Sequence, residues 1–393
     1  MTNPENSLVL RNARIVLTDR VLDESKLLIE SGRITRISAA ASAAENGALE
    51  YDLAGLTLLP GFIDIHIHGA IGVDTMAASA ADLDRVSQFL ATRGVTGWLP
   101  TLVPAAAADY AQAINAINEA TVLTAGARIL GVHYEGPFVN SVQCGALHAQ
   151  FFRSFSGQGE LDDLPMLSDA RARHMTTMAP EIAGGVELVR ELARRGWIVS
   201  LGHTRADFEV LDQALAAGAR HMTHFMNAMT PLHHRAPGPI GWGLFRDEVT
   251  CDFIADGVHL DREMLRLLLK LKSSDRLSLI SDAVAAAGMG DGDFKIWGET
   301  ITVKDGRTAN ARGSIAGSVI TMLDAVRMML SLGGSEVEVA RMAASNPARL
   351  LGIEQECGSI EEGKRADLTA LNAEGKVVLT LVGGQIVFEK SDK

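Results

Sequence analysis

Short β-type runs of alternating or continuous apolar residues recur along this chain, and most are followed by a stretch of helical periodicity. From residue 61 onward the β-type runs are "GFIDIHIHG", "VTGWLPTLV", "RILGVHYEGP", "HMTTMAPE", "GWIVSLGHT", "HMTHFMNAM", "CDFIADGVHL" and "LSLISDAV". Between them lie "AADLDRVSQFLATRG", "AADYAQAINAINEA", "GVELVRELARRG", "ADFEVLDQALAAGA" and "DREMLRLLLKLKSS", several ending in the glycine that commonly stops a helix. Eight strands in this alternation predict a (β/α)8 TIM barrel; a doubly wound sheet is the alternative. The ends have a different texture. "LVLRNARIVL", "KLLIESGRITRIS" and "YDLAGLTLLP" at the start, and "GKRADLTALNAEGKVVLTLVGGQIVF" at the finish, read as short strands broken by turns. The pattern therefore predicts a small β-sandwich assembled from residues 1–58 and 358–393, with the barrel at 59–357 inserted between them. Residues 289–313 interrupt the alternation and read as a β-hairpin insertion, with two helices after it.

The polar residues fall at the C-terminal ends of the expected strands. They are His66 and His68 in the first, His133 and Glu135 in the third, and His203 in the fifth. His224 and Asn227 follow in the sixth, Asp256 and His259 in the seventh, and Asp282 in the eighth. In a parallel barrel these ends converge on one rim, where active sites form. His66 and His68 are two apart and so share a strand face. Imidazoles and carboxylates gathered in this way suit Zn²⁺ or Fe²⁺. His133 reads as a hydrogen-bonded barrel residue, and His221, three before His224, faces the other way. His148, His174, His233 and His234 read as loop or strand-start residues.

Composition narrows the picture. The net charge of −12, with no basic block, argues against a nucleic-acid surface. No run approaches the ~18 apolar residues of a membrane span. Cys144, Cys251 and Cys357 are scattered without metal-ligand spacing, and the first residues carry no secretory pattern, so a cytoplasmic location is expected.

The motifs "PGFIDIHIHG", "GVHYEGPFVN", "LGHT", "THFMNAM", "ADGVH", "SDA" and "NPARLLG" through "GKRADLTAL" occur in an order and spacing that resemble the amidohydrolase superfamily. Within it the chain is similar to the N-acetylglucosamine-6-phosphate deacetylases, over nearly its whole length. The resemblance implies metal-dependent hydrolysis of an acetamide on a phosphosugar. It implies Glu135, His203 and His224 as ligands of a principal ion, with His66 and His68 at a second position that Glu135 bridges, giving one or two ions per subunit. It makes Asp282 the catalytic acid/base and His259 a contact of the scissile amide. Asn227, Ala228, Arg235, Ile315 and Ala316 match the part that holds the substrate, Arg235 reaching a neighbouring subunit in a homodimer. One departure is visible in "NSVQCGALHAQFF". Leu147 stands where the family has a histidine, His148 comes one residue late, and Cys144 replaces a basic residue. Ala146 and His148 are therefore the expected, altered substrate contacts. The alternatives are the galactosamine epimer as substrate, a cyclic-amide hydrolase, against which Arg235 and the "NAM" stretch favour a phosphosugar, and a non-catalytic protein of the same fold; the last predicts eroded ligands, whereas all five and Asp282 are present.

Overall fold

The computed structural model describes residues 7–39, 47–123 and 125–390. Eight parallel strands run in sequential spatial order: Phe62–Ile67, Val95–Leu102, Gly131–Glu135, Arg173–Met178, Ile198–Leu201, His221–Met222, Thr250–Ile254 and Leu277–Ile280. The circle closes just beyond the eighth strand. Asp282 donates its N–H to the carbonyl of His66 at 2.9 Å, and His68 donates to that of Ala283 at 2.8 Å. This is the (β/α)8 barrel that the alternation predicts. All six residues of Phe62–Ile67 are buried, as befits a strand covered on both faces. His66 and His68 reach the cluster at the axis, while Ile63 and Ile65 join Leu99, Met175, Ile254 and Ile280 from other barrel strands in one buried apolar group.

The helices form for local reasons as well as for burial. In Ala80–Ala91, Ser79 and Asp82 make a reciprocal capping box, and Leu83, Val86 and Leu90 supply the buried stripe. Three features differ from the sequence reading. The run at 128–137 divides into Arg128–Ile129, paired to the second strand, and the barrel strand Gly131–Glu135. A helix at Gly238–Phe245, "GPIGWGLF", has no polar stripe to announce it. The insertion holds three antiparallel strands, Gly292–Ile296, Glu299–Lys304 and Arg307–Ala309, where a hairpin is expected.

The two chain ends meet in one eight-stranded sheet with its own core of residues such as Leu10, Ile15, Leu27, Leu58, Leu368 and Leu379. The join is antiparallel, Leu368–Leu371 against Thr57–Pro60. Two hairpin turns touch across this sheet. A Cβ on Gly32 would stand 2.6 Å from the carbonyl oxygen of Gly383, and Gly32 has φ of 77°. Glycine is thus required there for both space and conformation. Among the described residues no helix is long and apolar enough to cross a membrane.

Candidate active site

Four barrel strands deliver five side chains of metal-ligating type to one point at the C-terminal rim. Glu135 is the last residue of the third strand and is almost fully buried. Its Oε1 lies 2.9 Å from His203 Nε2 and 3.0 Å from His224 Nε2, which are 3.1 Å from each other. Its Oε2 lies 3.2 Å from His68 Nε2, and His66 Nε2 and His68 Nε2 are 3.1 Å apart. Asp282 Oδ1 completes the cluster at 3.3 Å from His68 Nε2 and 3.4 Å from His66 Nε2.

These separations match the edge of a tetrahedron around an ion with arms of 2.0–2.1 Å, about 3.3 Å. Two groups can each hold an ion, His66/His68/Glu135 and Glu135/His203/His224, with Glu135 common to both. His203 Nδ1 lies 2.7 Å from the carbonyl oxygen of Gln143, which assigns its proton to Nδ1 and leaves Nε2 free to ligate.

The electrostatics show how strongly the cluster calls for positive charge. Burial by itself would drive the His68 imidazolium to release its proton, yet the hydrogen bonds it donates to Asp282 and Glu135 hold it at about 10. His224 is likewise opposed by burial but raised to about 9 by Glu135. Burial would push the Glu135 and Asp282 carboxyls up; His66 and its neighbours keep both below the ordinary carboxylate range. Two carboxylates among four imidazoles form a donor set fitted to divalent cations.

Several site residues hold left-handed backbone conformations that non-glycine residues seldom adopt: His203 (φ 46°), His224 (30°), Ala228 (49°) and Asp282 (49°). Buried acceptors hold these turns. Asp252 Oδ1 receives the N–H of His224, while its Oδ2 lies 2.9 Å from His221 Nε2. Asp64 accepts from the Ser281 hydroxyl at 2.6 Å and from the Ser281 N–H at 3.3 Å, just before Asp282. Glu181 accepts from Thr204 Oγ1 and from the N–H of Arg205, both at 2.6 Å, just after His203. Strain of about 1–3 kcal/mol per residue persists only where surroundings enforce it, and here it coincides with the His/Glu cluster and its edge.

A cavity of about 280 Å³ opens over the cluster, lined among others by Asn227, Ala228, His259, Ala146, Ile315 and Trp297. Asp256 orients His259, with 2.7 Å between its Oδ2 and Nδ1. Ala316 is buried behind this wall, donating its N–H to Thr308 Oγ1 at 3.1 Å. Two expected contacts lie elsewhere. His148 lines a separate, outer cavity and sits 3.4 Å from Glu299 Oε1. Arg235 is exposed, 2.7 Å from the neighbouring His234 ring and off the cavity wall. His133 lies against Thr177 Oγ1 at 2.8 Å as a barrel residue. The supporting residues Asp64, Asp252 and Glu181 and the wall residue Trp297 are absent from the sequence reading. For Asp64 a signal existed, since it shares strand parity with His66.

Comparison with known proteins agrees with this geometry. The sequence model of the amidohydrolase family matches residues 57–387. An N-acetylglucosamine-6-phosphate deacetylase of Bacillus subtilis is 36% identical over 390 residues, covering 97% of each chain. An N-acetylgalactosamine-6-phosphate deacetylase of Escherichia coli is 34% identical, covering 96% of this chain and 98% of that one. The crystal structure of N-acetylglucosamine-6-phosphate deacetylase from Pasteurella multocida superposes with a TM-score of 0.89 at 31% identity, covering 97% of this chain and 99% of that one. With a matching family sequence and a matching fold, this chain belongs to the amidohydrolase family, in its N-acetylglucosamine-6-phosphate deacetylase group.

Proposed function

We propose that this enzyme hydrolyses N-acetylglucosamine 6-phosphate to glucosamine 6-phosphate and acetate, a step of amino-sugar catabolism, in the cytoplasm. The observation that carries the reading is Glu135 shared between two histidine pairs, with Asp282 3.3 Å from one of them. The substrate comes from the names of the relatives above.

Glu135, His203 and His224 would hold the principal ion, and His66 and His68 with Glu135 a second. When bound, Zn²⁺ or Fe²⁺ supplies a water of lowered pKa and polarises the amide carbonyl. Asp282 faces that position as a carboxylate, ready to take the proton of the attacking water and return it to the departing nitrogen. His259, whose Nδ1–H is held by the Asp256 carboxylate, would donate from Nε2 to the carbonyl oxygen in its doubly protonated form as charge develops; one such donor is typically worth ~3 kcal/mol. Asn227, whose amide nitrogen is buried without a protein partner, offers a donor to the sugar. The backbone at Ala146, Ala228, Ile315 and Ala316 shapes the rest of the sugar pocket. Arg235 stands on an exposed loop clear of its own cavity, which suits it to bind phosphate in the site of a second subunit, so we place the enzyme as a homodimer.

Acetate release is to be measured from N-acetylglucosamine 6-phosphate, its galactosamine epimer and the unphosphorylated sugar, on enzyme of known metal content. Fast release from the phosphorylated glucosamine supports the reading, and silence on both phosphosugars overturns it. Preference for the galactosamine epimer would favour the second reading, which rests on the 34% identity to the Escherichia coli enzyme of that name.

A further inference from the structure

The insertion after the eighth barrel strand carries one side chain into the active-site wall. Trp297 and Gly298 form the two-residue turn between paired Ile296 and Glu299, with φ of 51° and 77°. Glycine accepts such angles freely, whereas a tryptophan there is strained and must be held by its side chain. The indole meets the His68 ring edge-on, with centroids 5.1 Å apart and planes at 80°. It also packs on a small apolar cluster of Val103, Val139 and Leu147.

This position makes a partition. Trp297 lines both the 280 Å³ cavity over the ligands and an outer cavity of about 640 Å³. Leu147 lines the inner space and Val103 the outer one. Away from Trp297 the cavity is bounded by Asn227, whose amide suits a hydroxylated ring. At the His68 end it is bounded by Trp297 and Leu147, which suit an alkyl group. Behind the wall the outer cavity includes Val73, Met76 and Ala105.

We propose that Trp297 and Leu147 form the end wall for the acyl group and restrict this hydrolase to short N-acyl chains, the outer cavity being the room that the wall denies. The inference rests on the amide-hydrolase reading above and adds a specificity determinant to it. An acyl chain bound with its carbonyl at the ligand cluster extends toward His68 and stops at the indole. Excluding one methylene from an apolar pocket is worth roughly 10–200-fold in kcat/KM.

The test uses N-acetyl-, N-propionyl- and N-butyryl-glucosamine 6-phosphate with the parent enzyme, Trp297→Gly and Trp297→Phe, with metal content and melting temperature measured on each. Glycine is the substitution that the turn conformation accepts. The parent is expected to lose about 10-fold or more in kcat/KM per added methylene, and Trp297→Gly to raise the butyryl-to-acetyl ratio about 10-fold or more. Trp297→Phe should fall between them. An unchanged ratio in a folded, metal-loaded Trp297→Gly, or equal use of butyryl and acetyl substrates by the parent, overturns the wall. If that variant loses metal or fold, Leu147→Ala opens the wall from the opposite loop, and an unchanged ratio there overturns it equally. A parent inactive on the acetyl substrate overturns the functional reading as well, so the two failures are distinct.

Discussion

Asp252, fully buried in the seventh barrel strand, accepts the backbone N–H of His224, a proposed ligand at the end of the sixth, and so holds that residue at a φ of 30°. The same carboxylate engages His221 one layer deeper, which in turn reaches Thr250 Oγ1 at 2.6 Å. Removing it leaves a strained turn and a buried imidazole without their acceptor. Asp252→Ala is expected to destabilise the protein by about 2–4 kcal/mol and to lower metal content together with turnover. Denaturant melts and metal analysis check this. A variant with parental melting and full metal content would refute the positioning role.

Asp282 occupies a different kind of place, facing the ligand cluster from the strand that closes the barrel. Asp282→Asn preserves shape and removes the proton acceptor. Turnover should fall about 10²–10⁴-fold while KM and metal content stay near parental values. Steady-state kinetics on metal-analysed protein decide the matter, and retained turnover would exclude Asp282 as the acid/base.

Glu135, common to both candidate ion positions, lets the two be told apart by measurement. His66→Ala together with His68→Ala should leave the His203/His224 position occupied, whereas His224→Ala should empty it. Glu135→Ala weakens both. Elemental analysis gives the stoichiometry: a parent with two ions should drop to one in the His66/His68 variant, and a parent with one should be unchanged by it. Ligand protonation competes with metal, so affinity should fall as pH is lowered.

His174 lies away from the site, at the start of the fourth barrel strand, and burial lowers its imidazole to about 4. Its neutral Nε2 accepts the N–H of Leu167 at 2.9 Å. Because the unfolded chain takes up this proton near pH 6.5 and the native protein does not, the contribution is complete above that pH. It is lost progressively as pH falls from about 6.5 toward 4. In His174→Gln the acceptor is kept and the titration removed, so stability should fall less between pH 7 and pH 5 than in the parent. Parallel denaturant melts at the two pH values measure this, and identical pH dependence would contradict it.

Much of this molecule is determined by its sequence alone. Strand and helix periodicities set the barrel, because every strand must be buried on both faces and every helix on one. The parity of His66 and His68 and the strand-end positions of Glu135, His203, His224 and Asp282 set the rim of imidazoles and carboxylates, because parallel strands deliver their ends to one side. Helix Gly238–Phe245 escaped for lack of an amphipathic period, and the third strand of the insertion because three residues carry too little pattern. What only tertiary structure decided depends on contacts between distant segments. Asp252, Asp64 and Glu181 act through backbone N–H groups of other strands, which no spacing rule reveals. His148 and Arg235 sit near the motifs yet outside the ligand cavity, since a one-residue loop shift or an exposed loop redirects a side chain that sequence position cannot aim. Trp297 became part of the site only when an insertion of no recognisable motif folded back over His68, and that closure is a property of packing in three dimensions.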